Sequence, residues 1–171
     1  MKIEHDKYYT NDEIVDKCWN ILRENIDFNE VTEIIESSGG AGAWLEKIKS
    51  TGIEWEAYDI VPEHPEIKQA DFLELEMDYK PGRLIGFNFP YGRSNCLSRK
   101  FYNKSVGVAD YICSIQPISQ LNNTNSMYYF DLIASVDLGK AMYSNKLVHC
   151  CFQVWKRPLK SVEAWRRKYG E

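Results

Sequence analysis

The sequence predicts an α/β domain, a mostly parallel sheet with helices on both faces. Three observations carry that expectation. Short β-branched runs alternate with helical stretches, the pattern of a parallel sheet. Several of those runs stop at glycine, aspartate or proline, as strands entering tight turns do. The 171 residues, 44% hydrophobic and 13% aromatic, can bury one core and leave little room for a second domain. One domain over residues 1–171 is therefore expected, with no linker and no repeat.

Thr10-Asn-Asp-Glu13 reads as a capping box in which Thr10 accepts from the Glu13 amide. The run behind it sets Ile14, Cys18, Ile21 and Leu22 on one face, so a helix is expected over 11–25. Residues 31–36 are β-branched and end at Ser-Ser-Gly-Gly, a buried strand running into a turn. A helix over 43–49 follows, then a second strand over 55–61 stopped by Pro62, and a short third strand near 68–70. Residues 83–88 form a fourth strand ending at Pro90-Tyr-Gly, and 95–106 a helix with Leu97, Phe101 and Val108 as core candidates. A fifth strand begins at Tyr111 and ends at Pro117, and the Asn-rich stretch 122–126 has loop composition. Periodicity leaves 128–136 open between strand and helix. A strong strand covers 147–154, and the tail from Val162 reads as a short basic helix.

No apolar run approaches the roughly 20 residues of a membrane span, and the opening Met1-Lys-Ile-Glu-His-Asp lacks a signal-peptide apolar stretch. The cysteines at 18, 96, 113, 150 and 151 form no C-x-x-C pair, which argues against a zinc site or a disulfide framework and for a reducing, cytoplasmic setting. The net charge of −4 is unevenly spread. Residues 1–80 carry 8 Lys/Arg against 20 Asp/Glu, a net of −12, and residues 81–171 carry 13 against 5, a net of +8. Such asymmetry either gives a basic side suited to a phosphate backbone or reflects solvated helix faces of different charge.

Ligands of parallel α/β sheets bind beyond the carboxyl ends of the strands, and the strand ends here carry unusual residues. The first is Glu36-Ser-Ser-Gly-Gly-Ala-Gly-Ala-Trp44, where Gly40 and Gly42 let the backbone approach a ligand closely. It lacks the third glycine of a dinucleotide fingerprint and the G-K-[ST] of a phosphate loop. The second is Asp59-Ile60, about 20 residues beyond the glycines, where an acidic residue commonly holds ribose hydroxyls. The third, Asp71-Phe72, pairs a carboxylate able to accept from an exocyclic amine with a ring able to cover an adenine. In this order the three favour an adenosine-containing cofactor. The fourth is Asn88-Phe89-Pro90-Tyr91. The Asn88 carboxamide and the Phe89 carbonyl can accept from a planar amine, and the Tyr91 ring can stack on it.

This set resembles the Rossmann-like S-adenosylmethionine-dependent amino-methyltransferases, above all the adenine-specific (N6) DNA methyltransferases. That family has a Tyr-x-Thr-Pro or Tyr-Thr-Pro segment, a Glu-Pro-Ser-Ala-Gly-x-Gly-x-Phe loop, acidic second and third strand ends, and an Asn-Pro-Pro-Tyr signature. Tyr9-Thr10-Asn11 resembles the first and residues 36–44 the second; Asp59, Asp71-Phe72 and Asn88-Phe89-Pro90-Tyr91 follow in the same order. The strand from Tyr111 to Pro117 and the strand leading into Lys156-Arg157-Pro158 resemble the family's fifth and last strands, so the likeness spans nearly the whole chain. Asn11, Ser37 and Phe89 each stand where the family has proline.

The resemblance implies S-adenosylmethionine as cofactor, held by Tyr9, Thr10, Glu36, Ser38, Gly40, Gly42, Asp59, Ile60, Asp71, Phe72 and Asn88. It implies methyl transfer to the exocyclic amine of adenine in DNA (or RNA) by Asn88, Phe89, Pro90 and Tyr91, with no metal, DNA being the favoured partner. Phe89 sets a bulky ring beside the acceptor pocket, and restoring proline there is expected to preserve or raise transfer. Arg93, Arg99, Lys100, Lys104, Lys156 and Arg157, with tail cations from Lys160 to Lys168, are candidate phosphate contacts. The chain has no room for a separate target-recognition domain, so specificity would come from loops such as 118–127 or from a partner subunit. The alternatives are protein glutamine N-methylation through a similar pocket, a non-catalytic binding module on the same fold, and last a nicotinamide-binding oxidoreductase.

Overall fold

The computed structural model describes residues 10–122 and 127–159. In chain order they form α1 (Asp12–Asn25), β1 (Glu33–Glu36), α2 (Leu45–Ser50), β2 (Glu54–Asp59), β3 (Lys68–Gln69), β4 (Arg83–Phe87), α3 (Cys96–Val108), β5 (Tyr111–Pro117), β6 (Asp131–Tyr143) and β7 (Lys146–Lys156). The sheet runs β3-β2-β1-β4-β5-β7-β6. The first five strands pair in parallel, and β7 lies antiparallel between β5 and β6. The chain winds from β1 outward to β3, then returns to the other side of β1 as β4. That reversal opens a crevice at the carboxyl ends of β1 and β4.

Alternation along the central strands supplies two cores. Ile34, Leu84 and Cys113 pack against Cys18 and Leu22 of α1 and Ile48 of α2. Ile35, Ile85 and Ile112 pack against Phe101 and Tyr102 of α3. Every residue of β1 and β4 is buried, as in parallel strands with cover on both faces. Gly86 is needed where β4 meets β5: a Cβ there would lie 2.0 Å from the Cys113 carbonyl oxygen. The other end of the sheet is closed by charge. Arg83 Nε donates to Glu33 across the β1–β4 pair at 2.7 Å.

Several boundaries differ from the sequence reading. The cap of α1 is Asn11, whose Oδ1 accepts from the Ile14 amide at 2.9 Å. Asparagine caps as well as threonine does, and it moves Glu13 off the position a capping box needs. β1 begins at Glu33 because residues 28–30 form a 3₁₀ turn, and α2 begins only at Leu45 because the glycine turn continues to Trp44. The segment left open between strand and helix is strand from Asp131 onward. β6 and β7 form a long ribbon that continues past the Pro117–Cys150 pair at the end of β5. A bulge at residues 137–139, with Gly139 at φ +73, bends it, and Asn11 Nδ2 donates to the Met142 carbonyl near its tip at 3.5 Å. The expected tail helix lies outside the described residues. Among the described residues, no helix is long and apolar enough to cross a membrane.

Candidate active site

One cleft of about 700 Å³ lies at the carboxyl ends of the parallel strands. It is lined by Thr10, residues 37–46, Asp59 and Ile60, Asp71 and Phe72, and residues 88–91. All four strand ends singled out by sequence therefore meet in one space. Tyr9 lies outside the described residues.

The glycine turn is held by main-chain bonds. Ser38 N donates to Glu36 Oε1 at 3.1 Å, Gly39 N to the Tyr58 carbonyl at 2.8 Å, Gly40 N to Asp59 Oδ2 at 2.9 Å and Gly42 N to the Gly39 carbonyl at 2.9 Å. Its contribution is shape more than free donors, since the amides of residues 38, 39, 40 and 42 already have acceptors. Gly40 and Gly42 sit at φ +54 and +88, where a side chain is strained. Asp59, 7% exposed, accepts from Gly40 with one oxygen and from Val61 N with the other at 2.8 Å. It ties the turn to the tip of β2 while lining the cleft.

Glu36 lies beneath this turn, fully buried, with no hydrogen-bond partner for Oε2 among the described residues. Burial pushes its carboxyl up to about 8; the Ser38 amide pulls the other way and the Asp59 charge adds to the rise. Asp71 caps a 3₁₀ turn by accepting from Leu73 N at 3.0 Å. Phe72 is 1% exposed and meets Phe101 edge-on at 5.2 Å. Its ring belongs to the floor of the cleft.

At the tip of β4, Asn88 Nδ2 donates to Thr10 Oγ1 at 3.3 Å, which joins the first sequence segment to the signature. Phe89 corrects the expectation placed on it. Its ring is 1% exposed and packs 5.5 Å from Phe101 in the α3-side core, so it stands below the cleft and offers no open face for stacking. Its amide donates to Ser114 Oγ at 2.9 Å, a bond that a proline could not make. Tyr91 keeps a half-buried ring against the cleft.

The cations divide. Arg93, Arg99 and Lys100 are exposed just beyond the signature. Lys104 Nζ donates to the carbonyls of Phe72 and Leu75 and sits 4.9 Å over the Phe72 ring, so its ammonium is consumed by the fold. Arg157 is consumed likewise: it pairs with Asp110 at 3.0 Å, donates to the Val106 and Ala109 carbonyls and covers the Phe130 ring at 4.7 Å. Lys156 pairs in register with Tyr111 at the far end of β5, away from the cleft. These three do not gather at the cleft; the tail cations lie outside the described residues.

Sequence reasoning missed His64, which also lines the cleft. Its Nδ1 accepts from Glu66 N at 3.1 Å, and its ring occupies the space a Cβ on Gly42 would need. The signal was a histidine between two prolines directly after the Asp59 strand end. Among the described residues, no cluster of His, Cys, Asp and Glu could hold a metal ion.

No protein-family model and no curated protein matches the chain in sequence. Solved structures do match it in fold. A candidate RNA methyltransferase from Pyrococcus horikoshii superposes with a TM-score of 0.73 at 12% identity, over 94% of this chain and 90% of that one. A candidate class I S-adenosylmethionine-dependent methyltransferase from Listeria monocytogenes gives 0.65 at 10% identity, over 93% and 63%. The Burkholderia thailandensis 1,6-didemethyltoxoflavin-N1-methyltransferase, solved with bound 1,6-didemethyltoxoflavin and S-adenosylhomocysteine, gives 0.64 at 10% identity, over 86% and 79%. The fold is thus that of the Rossmann-like methyltransferases, as the sequence led one to expect.

Proposed function

We propose that this domain transfers a methyl group from S-adenosylmethionine to the exocyclic amine of adenine in nucleic acid. The observation that carries the reading is one cleft lined together by Asn88, Tyr91, the glycine turn and Asp59. The residues present fit the cofactor. The cleft has the size of a cofactor site, and a Cβ on Gly40 would meet nothing within 4 Å, so the turn leaves open space for close approach to its backbone. Thr10, Ser38, Gly40, Gly42, Asp59, Ile60 and Asp71 would hold it, with Phe72 beneath. Bound there, the cofactor supplies an electrophilic methyl on a sulfonium, so no metal and no strong base are called for.

The chain's own residues orient the acceptor. With its amide nitrogen given to Thr10, Asn88 has its carboxamide oxygen to accept from an NH₂ group, which keeps the nitrogen lone pair out of ring conjugation and aimed at the methyl. The Tyr91 ring stacks on the base. Positioning of this kind supplies most of the acceleration in such a reaction. Adenine in a duplex must first leave the stack, so single strands or flipped bases are the expected form of substrate. Arg93, Arg99 and Lys100 support nucleic acid as the acceptor, being exposed cations that follow Tyr91 within nine residues.

The test is incorporation of labelled methyl into adenine-rich single-stranded DNA, duplex DNA and RNA. Transfer to at least one of them is expected. Binding should fall steeply between about 50 and 200 mM salt, as counterion release requires, and less steeply for Arg99→Glu/Lys100→Glu. Transfer to glutamine peptides alone would move the reading to a protein substrate.

A further inference from the structure

We infer that Cys150 is a positioning residue for acceptor binding: its thiol fixes the direction in which the Tyr91 ring points. The inference rests on Tyr91 being the acceptor's stacking partner. Tyr91 is anchored at its main chain, where its carbonyl accepts from Leu97 N at 3.1 Å and Ser98 N at 3.4 Å at the start of α3. Gly92, at φ +67 and with no room for a Cβ beside Leu97, makes that close return possible. The far end of the side chain reaches across to the sheet, where the hydroxyl lies 3.7 Å from Cys150 Sγ.

Cys150 is well suited to hold it. It is 1% exposed and lies in register opposite Pro117, the last residue of β5, so its place is set by strand pairing. Burial raises both the Tyr91 hydroxyl and the Cys150 thiol above their ordinary values, so both groups are neutral near pH 7 and one can donate to the other. A ring held only through its Cα keeps its side-chain torsions and must lose that freedom when a base stacks on it. A ring pinned at both ends has lost its χ1 freedom beforehand, so the acceptor binds more tightly. The reacting atoms never meet Cys150.

The experiment is steady-state transfer of labelled methyl to the adenine-rich oligonucleotide that wild type modifies best. It compares Cys150→Ala, Cys150→Ser, Tyr91→Phe and the Cys150→Ala/Tyr91→Phe pair, with cofactor affinity measured by calorimetry alongside. Cys150→Ala and Tyr91→Phe should each raise the acceptor KM about three- to tenfold with kcat and cofactor affinity nearly unchanged. Cys150→Ser, which keeps a polar partner, should stay nearer to wild type. The double variant should be no worse than Tyr91→Phe, because the contact is already gone. An unchanged KM in Cys150→Ala, or the same penalty in the Tyr91→Phe background, overturns the inference and leaves the acceptor reading standing. A wild type that binds cofactor yet neither binds nor methylates any nucleic acid overturns that reading, and this inference with it.

Discussion

The two halves of the cleft are built differently. On the β1–β2 side, main-chain amides close onto two carboxylates, Glu36 and Asp59, and the turn between them has little side-chain identity of its own. On the β4–β5 side, single side chains decide the geometry: Asn88 on Thr10, Phe89 N on Ser114, Tyr91 near Cys150. The first half resembles a general cradle that many acceptors could share. The second is particular to this chain, and Phe89 is where it departs from the signature it resembles. The difference teaches that cofactor and acceptor binding should be separable by mutation.

The largest expected effect comes from forcing the second half back to the family's sequence. Phe89→Pro removes a buried ring from Phe101 and the amide that donates to Ser114. It should cost about 3–5 kcal/mol of stability, readable as a fall of roughly 10 °C in melting temperature. Sequence alone favoured this change; a variant as stable as wild type would show that the Ser114 bond and the ring packing matter little.

A smaller effect is expected in the first half from Asp59→Ala. It should weaken S-adenosylmethionine binding more than tenfold, roughly 1.4 kcal/mol, and also lower stability, since the Gly40 and Val61 amides lose their acceptor. Calorimetry and thermal melts read the two consequences separately. Unchanged affinity with reduced stability would make Asp59 a brace for the turn and nothing more.

The smallest change in structure is Glu36→Gln. The folded chain holds the Glu36 proton up to about pH 8, against 4.5 for an unperturbed carboxyl. Between those limits the native state binds more protons than the unfolded chain, so stability falls as pH rises through that window. Glu36→Gln should remove that slope, which costs wild type about 2 kcal/mol between pH 6 and pH 8. Melts at pH 6 and 8 decide it; parallel slopes in the two proteins would relocate the proton.

The strand tips were legible because glycine, proline and aspartate punctuate a chain locally. The same holds for the two-faced core, since β-branched runs and a helical stripe are local patterns. What stayed hidden depends on register and on which end of the sheet a residue meets. Cys150 reaches Tyr91 only because β7 pairs with β5 in one alignment. Lys156 and Arg157 advertise charge in sequence, yet they lie at the end of β5 opposite the cleft. Phe89 looked like an obstacle at the pocket because its neighbours in sequence line it. Its ring, two residues past the end of β4, drops into the α3-side core instead.

The separation of the two halves is tested most directly at Asn88. Labelled-methyl transfer and S-adenosylmethionine calorimetry should be run on wild type and Asn88→Ala in parallel. The expected result is transfer reduced at least a hundredfold with cofactor affinity within a few-fold of wild type, because the role proposed for Asn88 is on the acceptor amine. Undiminished transfer by Asn88→Ala would contradict the account, whatever the cofactor affinity turned out to be.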